Sequence, residues 1–231
     1  MIKVVVEILS ILIIIPFLVF IVSVIANISF NQKVKSEVKE LFGNSVESNG
    51  EIIRRTDLEG LPGCVQNWLE YSQVIGKERI SSVYLQQEAS MRIEEDKSWM
   101  PVKAEQYFTV PKPGFIWKAR IKAAPFFHIV GRDKYHHGRG NMLIKILSLL
   151  TVADSKGEKM DQATLVRYLA EMVWFPTAAL SSYIEWEEIN STSAKAIMSY
   201  RGVTASGILK FNKQGEVINF TAERYMEKNG E

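Results

Sequence analysis

The stretch FIWKARIKA, residues 115–123, decides the fold class of this chain. Apolar side chains at every second position, from Phe115 to Ile121, alternate with positions that include three lysine or arginine residues. The stretch AKAIMSYR, residues 194–201, has the same period of two. Such alternation is typical of antiparallel strands that pack one face on a core and expose the other. The sequence therefore predicts an antiparallel β-sheet protein.

Segments rich in Gly, Pro, Asn and Ser separate further strands of this kind. The pattern predicts a mainly β (α+β) fold, in which about eight to ten strands form one curved antiparallel sheet or half-barrel. The apolar stretch Met142–Val152 is open to a second interpretation, a short helix. The strands are expected at residues 79–88, 89–95, 102–110, 115–124, 126–135, 140–153, 183–189, 194–201, 204–212 and 216–226.

Two segments have the helical period instead. Residues 61–72 place Pro62 in the first turn of a helix and apolar side chains on one face. Residues 161–175 have a second apolar face, with Asp161 as the expected N-cap and Pro176 just after the last turn. This second helix is predicted to be inserted among the strands.

The N-terminal segment is the most apolar part of the chain. No charged residue lies between Ile8 and Ala26. At about 1.5 Å per residue this run matches the hydrocarbon thickness of a bilayer, about 30 Å. We therefore expect residues 8–28 to contact the lipid bilayer as a transmembrane helix. The alternative is a cleaved signal peptide, whose apolar region is usually shorter, about 7–15 residues.

These patterns divide the chain into three parts. Residues 1–30 are the expected transmembrane anchor, residues 31–50 a helical stalk followed by a polar linker from Gly43 to Gly50, and residues 51–231 a soluble antiparallel β domain. Three lysines follow the anchor, at positions 33, 35 and 39. By the positive-inside rule they favour a cytoplasmic domain.

Composition excludes several classes of function. The net charge is +2 and the charges are interspersed, so nothing predicts nucleic-acid binding. Cys64 is the only cysteine, which excludes an intramolecular disulfide and predicts a small buried apolar side chain. The sequence contains neither a phosphate-binding glycine loop nor a G-x-S-x-G nucleophile motif. We expect no cofactor.

The segment GRDKYHHGRG, residues 131–140, combines charged residues with glycines. The glycines indicate a hairpin turn with a charged, exposed tip. Adjacent histidines on a strand point to opposite faces, so no metal site is expected. The alternative is an acid–base site of a hydrolase-type enzyme, for which the candidate catalytic residues are Asp133, His136, Glu171 and Arg139.

Aromatic residues are spread over nearly every predicted strand. A large sheet that is covered by only one or two helices has more apolar surface than those helices can hide. The surplus is therefore expected to line a groove for an acyl chain or another apolar ligand. The expected ligand-binding residues are Tyr107, Phe108, Phe115, Trp117, Met142, Leu143, Trp174 and Trp186.

Four stretches carry a resemblance to known proteins: RTDLEGLPGCVQNWLEYS (55–72), WMPVKAEQYFTVPKPGFIWKARIK (99–122), GRDKYHHGRGNMLIK (131–145) and DQATLVRYLAEMVWFPTAALSSYIEWEEI (161–189). Through them the chain resembles an uncharacterised bacterial family of membrane-anchored proteins, which implies no activity and no catalytic residues. More loosely, the order of its elements is similar to the lipoprotein-carrier (LolA/LolB-like) half-barrels. That resemblance implies a sheet that holds acyl chains on an apolar inner face.

Three hypotheses for function follow. The leading one is a membrane-tethered, non-enzymatic domain that binds a lipid, an acyl chain or another apolar ligand. The others are the hydrolase-type enzyme and a structural or assembly partner of another membrane protein. We expect a single-pass protein of the cell membrane. The carrier resemblance implies a domain outside the cytoplasm, whereas the lysine count favours the cytoplasmic side. The chain also differs from those carriers, which are soluble or lipid-anchored and lack a spanning helix.

Overall fold

The computed structural model describes residues 2–43 and 50–225. Its helices α1, α2 and α3 span Ile2–Gly43, Gly63–Tyr71 and Glu158–Glu171. Short 3-10 helices lie at Arg55–Leu58, Met172–Trp174 and Pro176–Leu180. The helices predicted at 61–72 and 161–175 are thus present, with small shifts at their ends. The predicted polar linker falls, over residues 44–49, outside the described residues.

Ten strands make the described chain mainly β, as predicted, and every strand pair is antiparallel. They form two sheets rather than one, a six-stranded sheet of β1 to β6 and a four-stranded sheet of β7 to β10, and neither closes into a barrel within the described residues. The strands are β1 (Ser82–Met91), β2 (Met100–Thr109), β3 (Gly114–Ala124), β4 (Phe127–His136), β5 (Arg139–Ile146), β6 (Leu150–Lys156), β7 (Ile184–Asn190), β8 (Ser193–Tyr200), β9 (Val203–Phe211) and β10 (Val217–Thr221).

Two boundaries differ from the sequence prediction. The segments expected at 79–88 and 89–95 contribute to one strand, β1, rather than two. The segment expected at 140–153 is a hairpin of β5 and β6 around a turn at residues 147–149, so the alternative of a helix there is wrong. The strands of the six-stranded sheet follow one another in chain order. The β1–β2, β3–β4 and β5–β6 hairpins therefore turn at one end of this sheet, and the β2–β3 and β4–β5 hairpins turn at the other end.

Helix α3 lies between the two sheets, in contact with β5 on one side and β9 on the other. Gly140 of β5 permits a close approach, because a Cβ atom there would collide with the Thr164 hydroxyl and the Met160 carbonyl. Asp161 is not the N-cap that the sequence predicted, since Gly157 precedes the first turn. The buried Asp161 carboxylate instead accepts a 2.6 Å hydrogen bond from the Gly140 backbone N–H.

The second half of α1 packs on the other face of the six-stranded sheet. Phe30, Val34 and Leu41 are buried there against Ile116 and Val130. The segment predicted as a helical stalk is the second half of α1, which continues without a break from the apolar segment and lies against the domain. Val34, Val38 and Leu41 mark the face of α1 that meets the sheet.

An ion-pair cluster strengthens this contact. Glu37 of α1 lies 3.2 Å from the Arg132 guanidinium and 3.0 Å from the Lys134 ammonium, both of β4. The Arg132 side chain is only 3% exposed. Since an unpaired buried charge is costly, Arg132 and Glu37 fix the position of α1 along the sheet.

Candidate functional site

Hydrogen bonds join α1 to the end of the six-stranded sheet where the β3–β4 and β5–β6 hairpins turn. The Ser23 hydroxyl donates to the Leu147 carbonyl at 2.8 Å. The Ser148 hydroxyl and the Arg120 guanidinium both donate to the Asn27 side-chain oxygen, each at 3.2 Å. We call this set of contacts the α1 clasp. It holds the last two turns of the apolar segment against the domain.

His128 completes the clasp from the start of β4. Its Nε2 atom lies 3.1 Å from the Ser148 hydroxyl oxygen. Burial, with a smaller effect of Arg120, lowers the pKa of His128 below its ordinary value, so the ring is neutral at pH 7. The Ser148 hydroxyl already gives its proton to Asn27. The neutral His128 ring therefore donates through an Nε2–H to Ser148.

Backbone strain is concentrated at the turns beside the clasp. Leu147 and Ser148 have φ angles of 51° and 62°, and Phe126 in the β3–β4 turn has a φ angle of 60°. Non-glycine residues rarely adopt these conformations, and each costs about 1–3 kcal/mol. Two consecutive positive values at residues 147 and 148 fit the type I′ geometry of tight hairpins.

A groove of about 450 Å³ opens between α1, the start of β2 and the β3–β4 hairpin. We call it the α1 groove. One part of its lining is apolar and the other part is polar or basic. Its lining residues are Phe20, Ser23, Val24, Asn27, Ile28, Pro101, Lys103, Arg120, Lys122, Ala124, Phe126, Phe127 and His128.

A polar cavity of about 590 Å³ continues the α1 groove along the sheet, away from the hairpin tips. The two share Asn27, Lys103 and Arg120 in their linings. The cavity adds the amide side chains of Gln86 and Gln87 on the edge strand β1. Two carboxylates also line it, Glu88 paired with Lys103 and Glu105 paired with Lys118. The combined channel therefore changes from apolar, beside Phe20, to polar and charged.

The three basic residues of the α1 groove have different surroundings. Arg120 is committed to Asn27. Lys103 forms a 3.0 Å ion pair with Glu88, but both side chains are about four-fifths exposed, and such pairs contribute little. Among the described residues, no ion pair with Lys122 is found. The groove therefore has positive charge that is not fully compensated.

Asp133 and Glu171, two of the predicted catalytic residues, are brought together elsewhere. Arg167 of α3 forms ion pairs with both carboxylates, at 2.9 Å from its Nε atom to Glu171. The Arg167 guanidinium also lies over the Phe115 and Trp117 rings, 5.2 and 5.0 Å from their centroids. The cluster borders a cavity of about 500 Å³ between β4, α3 and residues 220–224.

Burial raises the pKa of both carboxyl groups in this cluster, and Arg167 acts in the opposite direction. The Gln106 amide adds a 2.6 Å hydrogen bond to Glu171. Arg167 and Gln106 stabilise the charged form of Glu171, whereas the nearby Asp133 carboxylate acts in the opposite direction. The arrangement is that of a buried ion-pair network with a bridging cation, and the described residues that line the cavity include no serine, threonine or cysteine.

The other two catalytic candidates lie apart from this cluster. Arg139 pairs with Asp161 at 2.9 Å, and its side chain is 78% exposed. His136 lies at the far end of β4, with Nδ1 3.8 Å from a Glu40 carboxylate oxygen. The structure therefore brings together Asp133 and Glu171 but does not join them to His136 or Arg139.

The two histidines contradict one argument made from sequence. His137 lies in the β4–β5 turn with a φ angle of 53°, not in the strand, so its ring stacks on that of His136 at a centroid distance of 3.9 Å. Ligand atoms of Glu40, His136 and His137 lie within 4.8 Å of one another. Burial and His137 lower the pKa of His136, as do Lys134 and Arg201. These cationic neighbours oppose a bound metal ion.

The predicted apolar-ligand residues do not share one groove. Phe108 and Phe115 are fully buried in the main core, and Leu143 is buried in the smaller core under α1. The Trp117 indole donates to Gln87 and the Trp186 indole to the Ala179 carbonyl. Tyr107 stacks on Tyr84 at 4.9 Å, Trp174 lies edge-on to Phe108, and Met142 borders a cavity near the start of α3. The four-stranded sheet and α3 cover the apolar face of the six-stranded sheet, which the sequence analysis expected to be partly uncovered.

Sequence reasoning missed the residues of the α1 clasp and groove. Ser23 and Asn27 looked like ordinary polar residues near the end of an apolar run. The signal that pointed to the groove was AAPFFH, residues 123–128, which places two phenylalanines at a hairpin turn. Turns are normally polar, so the apolar tip marked an unusual surface.

Comparisons with known proteins place the chain in a family without assigning a role. A search of curated proteins and a search of solved structures each returned no match. The similarity to lipoprotein carriers stays a prediction. The family model described as "Family of unknown function (DUF6544)" matches residues 51–231, which confirms the resemblance to an uncharacterised family. The chain belongs to the family of unknown function DUF6544.

Proposed function

We propose that this protein is a membrane-anchored, non-enzymatic domain that holds an anionic lipid in the α1 groove. The observation that carries the proposal is the lining of the groove, with Phe20, Val24 and Phe127 at one part and Lys103 and Arg120 at the other. An anionic lipid has an acyl chain that would contact the apolar wall and a negatively charged head group that would contact the basic residues. In this proposal the chain is a single-pass protein of the cell membrane, and its domain lies on the extracytoplasmic side.

The N-terminal helix supports the anchoring part of the proposal. A segment of α1 is long and apolar enough to cross a membrane, although a signal sequence near the N-terminus has the same properties. Large apolar side chains such as Phe17, Leu18 and Ile25 are more than half exposed in the folded chain. Water is a poor environment for so large an apolar surface, whereas the hydrocarbon core of a bilayer is a favourable one.

The continuity between the groove and α1 supports a lipid as ligand. The groove wall includes Phe20, Val24 and Ile28, which belong to the segment that would cross the bilayer. A lipid could therefore enter from the membrane with its acyl chain beside α1 and its head group at Arg120. The polar cavity beyond Arg120, beside Gln86 and Gln87, offers room for the larger part of a head group.

The hydrolase alternative is favoured by one observation, the joint contact of Asp133 and Glu171 with Arg167. The same contact weakens it, because a bridging arginine neutralises the carboxylates that a general base would need. A role as partner of another membrane protein would use the outer edges of the two sheets. The lipid-binding proposal accounts for more of the described features.

The proposal is tested with the full-length chain in nanodiscs of phosphatidylcholine and phosphatidylglycerol. After gentle release, native mass spectrometry measures bound phosphatidylglycerol. We expect a one-lipid adduct that Arg120→Ala with Lys122→Ala reduces about tenfold, since charge-assisted hydrogen bonds contribute about 1.5–3 kcal/mol. Ala124→Trp should also abolish it, because the indole fills the apolar part of the groove while its charges stay.

The matched control is Lys210→Ala, which removes an exposed lysine from the four-stranded sheet. This variant should keep the adduct. An adduct that all three variants retain equally would show that lipid binds elsewhere. The complete absence of a phosphatidylglycerol adduct on the unmodified chain would overturn the proposal.

A further inference from the structure

The tips of two hairpins expose large apolar side chains beside α1. Phe126 is 92% exposed, Phe127 is 39% exposed and Leu150 is 63% exposed. Phe126 and Leu150 pack little on the protein, yet Phe126 keeps a φ angle of 60°, a conformation that aromatic residues rarely adopt. The fold therefore uses a strained turn to present an aromatic ring outward.

The α1 clasp fixes the position of these hairpin tips along the axis of α1. Ser23 contacts Leu147 and Asn27 contacts Ser148, so the β5–β6 turn lies beside the end of the apolar segment. Phe20 shares the groove wall with the β3–β4 tip. Seven helical residues separate positions 20 and 27, a rise of about 10 Å. This distance matches the depth to which amphipathic helices enter the interfacial layer, about 5–10 Å.

The charges around the tips fit an anionic membrane surface. The sequence has no acidic residue between 119 and 132 or between 142 and 153, the two stretches that form these hairpins. Lys122 and Lys145 flank the tips on the domain side. The third hairpin that turns at this end, β1–β2, has the acidic residues Glu94, Glu95 and Asp96 in its loop. The β1–β2 loop also exposes Ile93 and Trp99, so the two hairpins that contact α1 differ from it in having no acidic residue near their tips.

We propose that the tips of the β3–β4 and β5–β6 hairpins, at Phe126, Phe127 and Leu150, insert into the interfacial layer of the bilayer beside α1. This inference rests on the proposed anchoring of α1. The three contacts with the membrane, one helix and two hairpins, hold the six-stranded sheet end-on to the bilayer. The α1 groove then opens at the level of the lipid head groups.

The experiment uses nitroxide spin labels on single cysteines in the full-length chain with Cys64→Ala, reconstituted into phosphatidylcholine and phosphatidylglycerol vesicles. Labels replace Phe126 and Leu150, which are exposed enough for their loss to leave the core intact. A label at Lys112, in the β2–β3 turn at the opposite end of the same sheet, is the matched control. A label at Ile15 reports on α1.

Power saturation compares collisions with oxygen, which concentrates in lipid, and with a nickel chelate, which stays in water. We expect the labels at positions 126 and 150 to collide several-fold more with oxygen than with the chelate, relative to position 112. Aqueous labels at 126 and 150 with a lipid-exposed label at 15 would overturn the inference and leave the anchor intact. An aqueous label at 15 would overturn the anchor, and the inference with it.

Discussion

The Asn27 side chain of α1 and the Ser148 hydroxyl of the β5–β6 turn, 121 residues apart in sequence, are joined by a 3.2 Å hydrogen bond. This bond links the end of the apolar segment to a strained hairpin turn. Ser148 is almost fully buried, so its hydroxyl depends on protein partners rather than on water. The contact between α1 and the domain is therefore specific in geometry as well as apolar.

Asn27→Ala should loosen this contact. The variant leaves the Ser148 hydroxyl and the Arg120 guanidinium without their shared acceptor, and an unsatisfied buried group costs about 1–3 kcal/mol. We expect faster amide hydrogen exchange at residues 146–149 and a lower unfolding temperature in nanodiscs. Asn31→Ala, one turn further along α1, is the control, since no hydrogen bond of that side chain defines the clasp. Equal exchange in both variants would contradict the role of Asn27.

Arg167→Met should destabilise the domain strongly. It leaves Asp133 and Glu171 buried without their bridging cation, which typically costs about 3–5 kcal/mol. Denaturant unfolding of the variant measures this loss. The triple variant Arg167→Met, Asp133→Asn, Glu171→Gln removes the charges together and should recover most of the lost stability. Full stability of Arg167→Met alone would show that the cluster is not the structural network described above.

Stability should depend on pH through Glu171. Burial raises its pKa in the folded state above the ordinary value of 4.5. Between these two pKa values the folded chain binds more protons than the unfolded chain, so its free energy of unfolding falls as pH rises through this window. Glu171→Gln should reduce this slope, whereas the exposed Glu185→Gln should keep it. Burial also raises the pKa of Asp133, so the part of the slope that Glu171→Gln leaves should be lost when Asp133→Asn is added. Urea unfolding at a series of pH values above 4 measures all three variants, and a slope that Glu171→Gln does not change would belong to another group.

Gly140→Ala should be poorly tolerated. The added methyl group would meet the Thr164 hydroxyl and the Met160 backbone of α3, and overpacking typically costs about 1–3 kcal/mol. Gly131→Ala on the neighbouring strand β4 is the matched control, since its methyl group would lie an ordinary 3.6 Å from the Trp117 ring. Thermal unfolding of the two variants should therefore differ clearly. Equal unfolding temperatures would mean that α3 can move away from β5.

Cysteine labelling in intact cells should locate the domain. In a Cys64→Ala background, a cysteine at the exposed Lys213 in the β9–β10 turn should react with a membrane-impermeant maleimide, as expected of an extracytoplasmic domain. A cysteine at Lys3, before the apolar segment, should be protected until the cells are opened. The reverse pattern would place the domain in the cytoplasm, as the lysine count favours.

Strand positions could be predicted because alternation is a local property. The period of two is visible in residues 115–123 and 194–201 without any knowledge of partners. The division into two sheets could not be predicted, because it depends on α3 lying between them. That helix is buried on most sides, although its sequence indicates only one apolar face, because polar residues such as Asp161 and Thr164 are also buried.

The candidate site was harder to predict than the fold. The pairing of Arg167 with Glu171 was visible as an i, i+4 spacing typical of a helix surface. The third member, Asp133, lies 34 residues away from Arg167 on β4, and only the packing of α3 brings them together. The contacts of α1 with residues 120, 147 and 148 span still longer separations. Charge and hydropathy patterns contain no information on such distant pairs.

Under the proposed function, the unbroken run of α1 from the apolar segment onto the sheet limits how the domain can reach a ligand. A flexible tether would let the domain sample a wide volume, whereas a rigid helix would hold it above one small patch of membrane. The proposed lipid would then arrive by lateral diffusion in the same leaflet. The encounter rate would follow the two-dimensional density of the ligand, not its concentration in solution.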